Sequence, residues 1–121
     1  MGYSKKNKKG KRKSQRLGLN LPVKFKKAKG GSTQTCFCSD IGGKGIKIHL
    51  RENLEINDKV KLSLCLQDES KPIDMLCRVA WCKKETGDEF CAGLEFLEIK
   101  EKRRFIGFLT EKLLELFSKD K

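Results

Sequence analysis

Arg12 and Arg16 stand four residues apart in RKSQR, and Asp40 opens the stretch DIGGKG, which carries Gly42, Gly43 and Gly45. These residue types suit recognition of a phosphorylated ligand. A guanidinium fork meets an anion bidentately. A carboxylate accepts from N–H donors, and glycine leaves the backbone open to close approach. The glycine stretch lacks the GxxxxGK(S/T) pattern and opens no helical periodicity, so a nucleoside triphosphate loop is not expected. Two readings stay open. Gly42, Gly43 and Gly45 supply positive φ angles for a tight strand connection, or they line a ligand site whose other half lies elsewhere.

The charge distribution favours an anionic partner. Residues 1–39 hold 12 Lys and Arg and no acidic residue, whereas residues 40–121 hold 16 basic and 16 acidic residues. The whole excess of +12 therefore sits in the N-terminal third, which points to nucleic acid, an anionic lipid surface or a phosphate-bearing ligand, or to a solvated basic tail. No apolar run approaches the roughly 20 residues that cross a bilayer, and no apolar stretch follows the basic N-terminus, so a cytoplasmic location without membrane insertion is expected. Cys36, Cys38, Cys65, Cys77, Cys82 and Cys91 are then expected to be reduced thiols at buried or half-buried strand positions. No CxxC pair is present and His49 is the only imidazole, so no metal site is expected and His49 receives no role. Asp88 and Glu89 lie in a turn with no nucleophile or base in sequence nearby, and no catalytic constellation is evident.

The elements that must position these residues are read from periodicity. Period-two alternation runs through LPVKFKK, with Leu21, Val23 and Phe25 on one face, then TQTCFCSD, GIKIHL, KVKLSLCLQ, IDMLCRVAWCKK and FCAGLEF. This alternation sets Ile73, Met75, Cys77, Val79 and Trp81 together, so Trp81 is expected in the core. About six strands joined by short turns suggest a closed or nearly closed antiparallel barrel. From Lys100 the period becomes helical, with Phe105, Leu109, Leu113 and Leu116 on one face and Ile106 and Phe117 beside them. The expected fold is all-β with a terminal helix packed on the barrel. One domain is expected at this length.

The order of motifs resembles the PilZ domain family: RxxxR at Arg12 to Arg16, then DIGGKG in place of (D/N)xSxxG, then CRVAW, CAGLEF and a terminal helix. The resemblance covers residues 12 to about 117 and implies a six-stranded antiparallel barrel packed by a C-terminal helix. It divides the chain into a basic tail (1–11), an arginine-motif segment (12–20), a barrel (21–99), a helix (100–117) and a short tail (118–121). It further implies a receptor, not an enzyme, for the bacterial second messenger cyclic di-GMP, with no other cofactor. Arg12, Arg16, Asp40, Gly42 and Gly45 are the implied ligand-binding residues. Lys11, Arg78 and Gly93 are further candidates. Arg78 would add a cation at the ligand surface or simply face solvent, and Gly93 would permit close approach of ligand or a neighbouring strand. The chemistry is coherent, because Arg can meet phosphate or the guanine O6 and N7 acceptors, and a carboxylate can accept from guanine N1 and N2.

One position departs from the family pattern. Gly42 stands at the usual serine, which removes a hydroxyl and implies weaker ligand binding by about 1–3 kcal/mol. Two rival readings follow: a divergent PilZ domain that binds a protein partner without the ligand, and a nucleic-acid-binding barrel acting through the basic residues 1–29. The second has little aromatic support, since only Tyr3, Phe25 and Phe37 lie in the basic third.

Overall fold

The computed structural model describes residues 16–66 and 71–119, with the side chains of 16–19 and 116–119 outside that description. Six strands run in chain order: β1 (Arg16–Lys27), β2 (Gln34–Gly42), β3 (Gly45–Leu50), β4 (Lys59–Leu64), β5 (Ile73–Lys84) and β6 (Phe90–Ile99). A helix, α1 (Lys102–Lys119), follows. All pairings are antiparallel, and the strands close into a barrel in the order β1-β2-β3-β6-β5-β4. Closure pairs each strand with two neighbours and leaves the N-terminal overhang of β1 bonded on one side.

The interior follows from the alternation. Val23, Phe25, Ile41, Ile46, Ile48, Val60, Leu62, Leu64, Ile73 and Val79 are at most 1% exposed, and one side chain per alternate position fills the narrow lumen. Cys36, Cys38 and Cys77 join this core, and all six cysteines are free thiols, buried or half-buried. Burial pushes the Cys36 and Cys77 thiols up to about 12, so both stay protonated at neutral pH.

Four irregularities interrupt the register, one of them at Leu97 of β6, where Leu76 faces Glu98 and Cys77 faces Phe96. In β2, Cys38 faces Ile48 and Asp40 faces Lys47, so Ser39 is an extra residue. In β5, Val79 faces Leu94 and Trp81 faces Gly93, so Ala80 is extra. In β1, the register jumps between Gly18 and Leu21. A bulge inverts the facing of every residue beyond it. Trp81 is therefore 38% exposed and not a core residue, while Cys82 turns inward to pack on the core.

The helix caps the barrel through Phe105, which is 1% exposed and meets Phe96 edge-on, with ring centroids 5.3 Å apart and planes at 86°. Arg104 anchors the first turn by donating to Glu101 Oε1 at 2.8 Å and to the Lys71 carbonyl at 2.7 Å. The expected apolar face holds at Phe105, Leu109 and Leu113, and Phe108 joins it. Phe108 is buried with Phe105, Leu109 and Leu113 pack against the core, and Ile106 is 54% exposed. Spacing of i, i+3 and i+4 from Phe105 sets Phe108 and Leu109 on the core side and leaves Ile106 on the outer flank.

The β2–β3 connection is tight without left-handed glycines. The positive-φ glycines among the described residues are Gly30, Gly31 and Gly87, so the expectation of positive φ at Gly42, Gly43 and Gly45 does not hold. Gly45 is required for a different reason: an added Cβ would lie 2.6 Å from the Leu94 carbonyl oxygen. The neighbouring Lys44 carbonyl accepts from the Phe96 amide at 2.9 Å, which pins the turn to β6.

Two substitution pairs check this packing. Phe105→Ala is expected to cost about 3–5 kcal/mol in urea unfolding, whereas Ile106→Ser stays within about 0.5 kcal/mol. Gly45→Ala is expected to lose about 1–3 kcal/mol by forcing β3 from β6, whereas Gly43→Ala, with nothing within 4 Å of its added Cβ, changes stability little.

Candidate functional site

Strand register assembles the candidate residues in rows across the outer wall. In the first row Arg16 faces Gly42 on β2, the turn follows, Gly45 faces Glu95, and Glu95 faces Arg78. In the second, Gly18 faces Asp40, Asp40 faces Lys47, Lys47 faces Gly93, and Gly93 faces Trp81. Residues remote in sequence thus share one face. The backbone of Arg16 belongs to β1, so the end of the arginine motif is part of the barrel wall. Lys11 and Arg12 lie outside the described residues, as does the Arg16 side chain.

Each bulge has a local consequence here. The extra residue Ser39 turns Asp40 onto the outer face, where it is half-buried beside half-buried Lys47, and returns Ile41 to the core. The extra residue Ala80 brings the Trp81 indole out and over Gly93. A Cβ on Gly93 would sit 2.3 Å from the indole Nε1 and 2.4 Å from Cε2, so the close approach that Gly93 permits is that of the Trp81 ring. Lys83 lies 5.5 Å from the ring centroid, within cation–π range.

Arg78 is half-buried and engaged on both sides. Its Nε donates to Glu95 Oε1 at 2.9 Å, its Nη2 pairs with the same carboxylate, and its Nη1 donates to Asn57 Oδ1 at 2.5 Å. Asn57 holds this position from a left-handed turn, φ 76°, whose amide donates to the Val79 carbonyl. Arg78 is therefore a cation with its carboxylate already in place, and a ligand phosphate would compete with Glu95 for it.

Sequence reasoning missed three members of this face. Lys47 reads only as the polar phase of GIKIHL. Trp81 reads as core because the bulge before it leaves no mark in the apolar pattern. His49 has partners after all: Nε2 lies 2.7 Å from Ser39 Oγ and Nδ1 lies 3.0 Å from Glu85 Oε1. Both partners are distant in sequence, so only the register reveals them. The face as a whole presents a carboxylate, several cations and an exposed indole face, which can meet a ligand carrying both phosphates and planar bases.

Among the described residues, no helix is long and apolar enough to cross a membrane. The fold is similar to that of several solved proteins. The inhibitor of motility MotI/DgrA of Bacillus subtilis gives a TM-score of 0.74 at 17% identity, over 92% of this chain and 54% of that one. MrkH of K. pneumonia, solved as a c-di-GMP complex, gives 0.70 at 17% identity over 90% and 54%. YcgR of Escherichia coli, in complex with c-di-GMP, gives 0.62 at 15% identity over 92% and 51%. The chain thus spans about half the length of these solved chains. At such identities the likeness is one of fold. No curated protein matches the chain. The PilZ domain model matches residues 10–111, a span that takes in the RxxxR motif, the whole barrel and the first turns of α1, and the chain belongs to the PilZ domain family.

Proposed function

We propose that this protein is a cyclic di-GMP receptor whose ligand sits where the arginine motif meets the β2–β3 turn. The PilZ domain is a receptor and effector module and not a catalytic family, and similar folds in MrkH, YcgR and the PlzA protein of Borreliella burgdorferi are solved with c-di-GMP. The observation that carries the reading is the pairing of Arg16 with Gly42 and of Gly18 with Asp40, which sets two motifs more than 20 residues apart in sequence at one edge.

In this reading Arg12 and Arg16 bind phosphate and the guanine O6 and N7 acceptors, with Lys11 as an additional cation. Asp40 accepts from guanine N1 and N2, at the outward position its bulge provides. Gly42 and Gly45 leave bare backbone beneath the ligand. The indole of Trp81, seated over Gly93, offers a stacking face. Arg78 joins only by exchanging Glu95 for a ligand phosphate. Ligand binding draws the arginine segment onto the wall and alters the surface shown to a protein partner in the cytoplasm.

Titration calorimetry with cyclic di-GMP tests the reading. Arg16→Ala and Asp40→Ala are expected to weaken binding at least about tenfold each, the cost of a lost charge-assisted hydrogen bond. Gly42→Ser is expected to tighten it by about 10- to 100-fold, restoring the missing hydroxyl. An absence of heat and of any ligand-dependent rise in thermal midpoint, together with a partner that binds regardless of Arg12 and Arg16, would establish the ligand-free interaction module instead.

A further inference from the structure

We infer that His49, Glu85 and Cys91 form a binding site for a thiophilic divalent cation of the zinc class. The three residues come from three places: His49 from β3, Cys91 directly opposite it on β6, and Glu85 from the turn that follows β5. Their donor atoms lie within 4.8 Å of one another. A four-coordinate ion with bonds of about 2.0–2.3 Å holds neighbouring donors somewhat under 4 Å apart, so a small adjustment of these side chains completes three coordination positions and leaves the fourth to water.

The surroundings support this assignment. When the His49 Nε2–H donates to Ser39 Oγ at 2.7 Å, the Nδ1 lone pair faces the Glu85 carboxylate oxygen at 3.0 Å. In that tautomer two lone pairs face one another, and a metal ion between them satisfies both. Ser39 then plays the part that an orienting hydrogen-bond partner plays for metal-bound imidazole. Glu85 is held in its turn by its amide, which donates to the Glu89 carbonyl at 2.8 Å. Cys91 is 3% exposed and offers its sulfur from the strand directly opposite His49. Metal binding exchanges the thiol proton for the metal–sulfur bond and releases that proton to solvent. A nitrogen, a thiolate sulfur and one carboxylate select zinc-class ions over magnesium or calcium, which take all-oxygen sets. Neighbouring Cys82 is otherwise engaged, its sulfur accepting the Leu54 amide at 3.4 Å.

The site is independent of the nucleotide reading and is tested without nucleotide. The chelator-treated 121-residue chain is titrated with Co²⁺ and then Zn²⁺. The expected result is one Co²⁺ per chain, with a near-ultraviolet thiolate-to-cobalt charge-transfer band and the visible bands of a four-coordinate ion, both bleached by Zn²⁺. Cys91→Ala should abolish the charge-transfer band. Ser39→Ala should weaken Co²⁺ binding by about 10- to 100-fold, and the surface variants His49→Gln and Glu85→Gln, checked for folding by circular dichroism, should weaken it at least as much. No band, a band that survives Cys91→Ala, or an affinity indifferent to His49→Gln and Glu85→Gln would overturn the assignment and leave His49 and Glu85 as an ordinary surface ion pair.

Discussion

Closure of the barrel through β1 is the constraint from which the other features follow. The strand pairs with β2 over Arg16–Phe25 and with β4 over Val23–Lys27, so only its C-terminal half lies at the seam on both sides. Its N-terminal half continues past β4 and is bonded to β2 alone. That overhang carries the end of the arginine motif to the β2–β3 turn. The β1–β2 pairing sets the juxtaposition of the two motifs, and the seam with β4 anchors the other half of the same strand in the barrel.

Closure also limits what the inside can hold. A six-stranded lumen is filled by alternate side chains, mostly Val, Ile, Leu and small thiols, with Phe25 the largest fully buried strand side chain among the described residues. Phe105 and Phe108 from α1 complete the core from one end. Ligand chemistry is thereby confined to the outer wall. The bulges at Ser39 and Ala80 adjust that wall: each adds one residue, inverts the local facing, and delivers an otherwise inward side chain to the surface. Asp40 and Trp81 reach the same row by this means. Gly93 between them is the space that the indole occupies.

The outer wall is electrostatically partnered as well as shaped. Arg78 is matched by Glu95 and Asn57, Lys27 by Glu52, and His49 by Glu85 and Ser39. Glu52 illustrates the consequence, since Lys27 and Gln34 hold its carboxyl below the usual range. Such exposed pairs contribute little to stability. Their importance is positional, because any anion approaching Arg78 or Lys27 must displace the carboxylate already in place.

The sequence determined the fold class and the elements, because a barrel interior demands period-two burial and the helix demands its 3.6-residue period. Val23, Phe25, Ile46, Ile48, Val60, Leu62 and Leu64 face inward as that rule requires. It also displayed the paired motifs, whose residue types carry their chemistry wherever they stand. Tertiary structure alone decided which residues meet across strands. The Ser39 and Ala80 bulges are hydrogen-bonding events between two strands, and no local pattern distinguishes the extra residue from its neighbours. Trp81 was therefore legible as an aromatic in a strand but not as a surface residue. His49 was legible as a lone imidazole but not as one facing Cys91, Glu85 and Ser39. Contacts of this kind depend on register, and register is fixed only when the barrel closes.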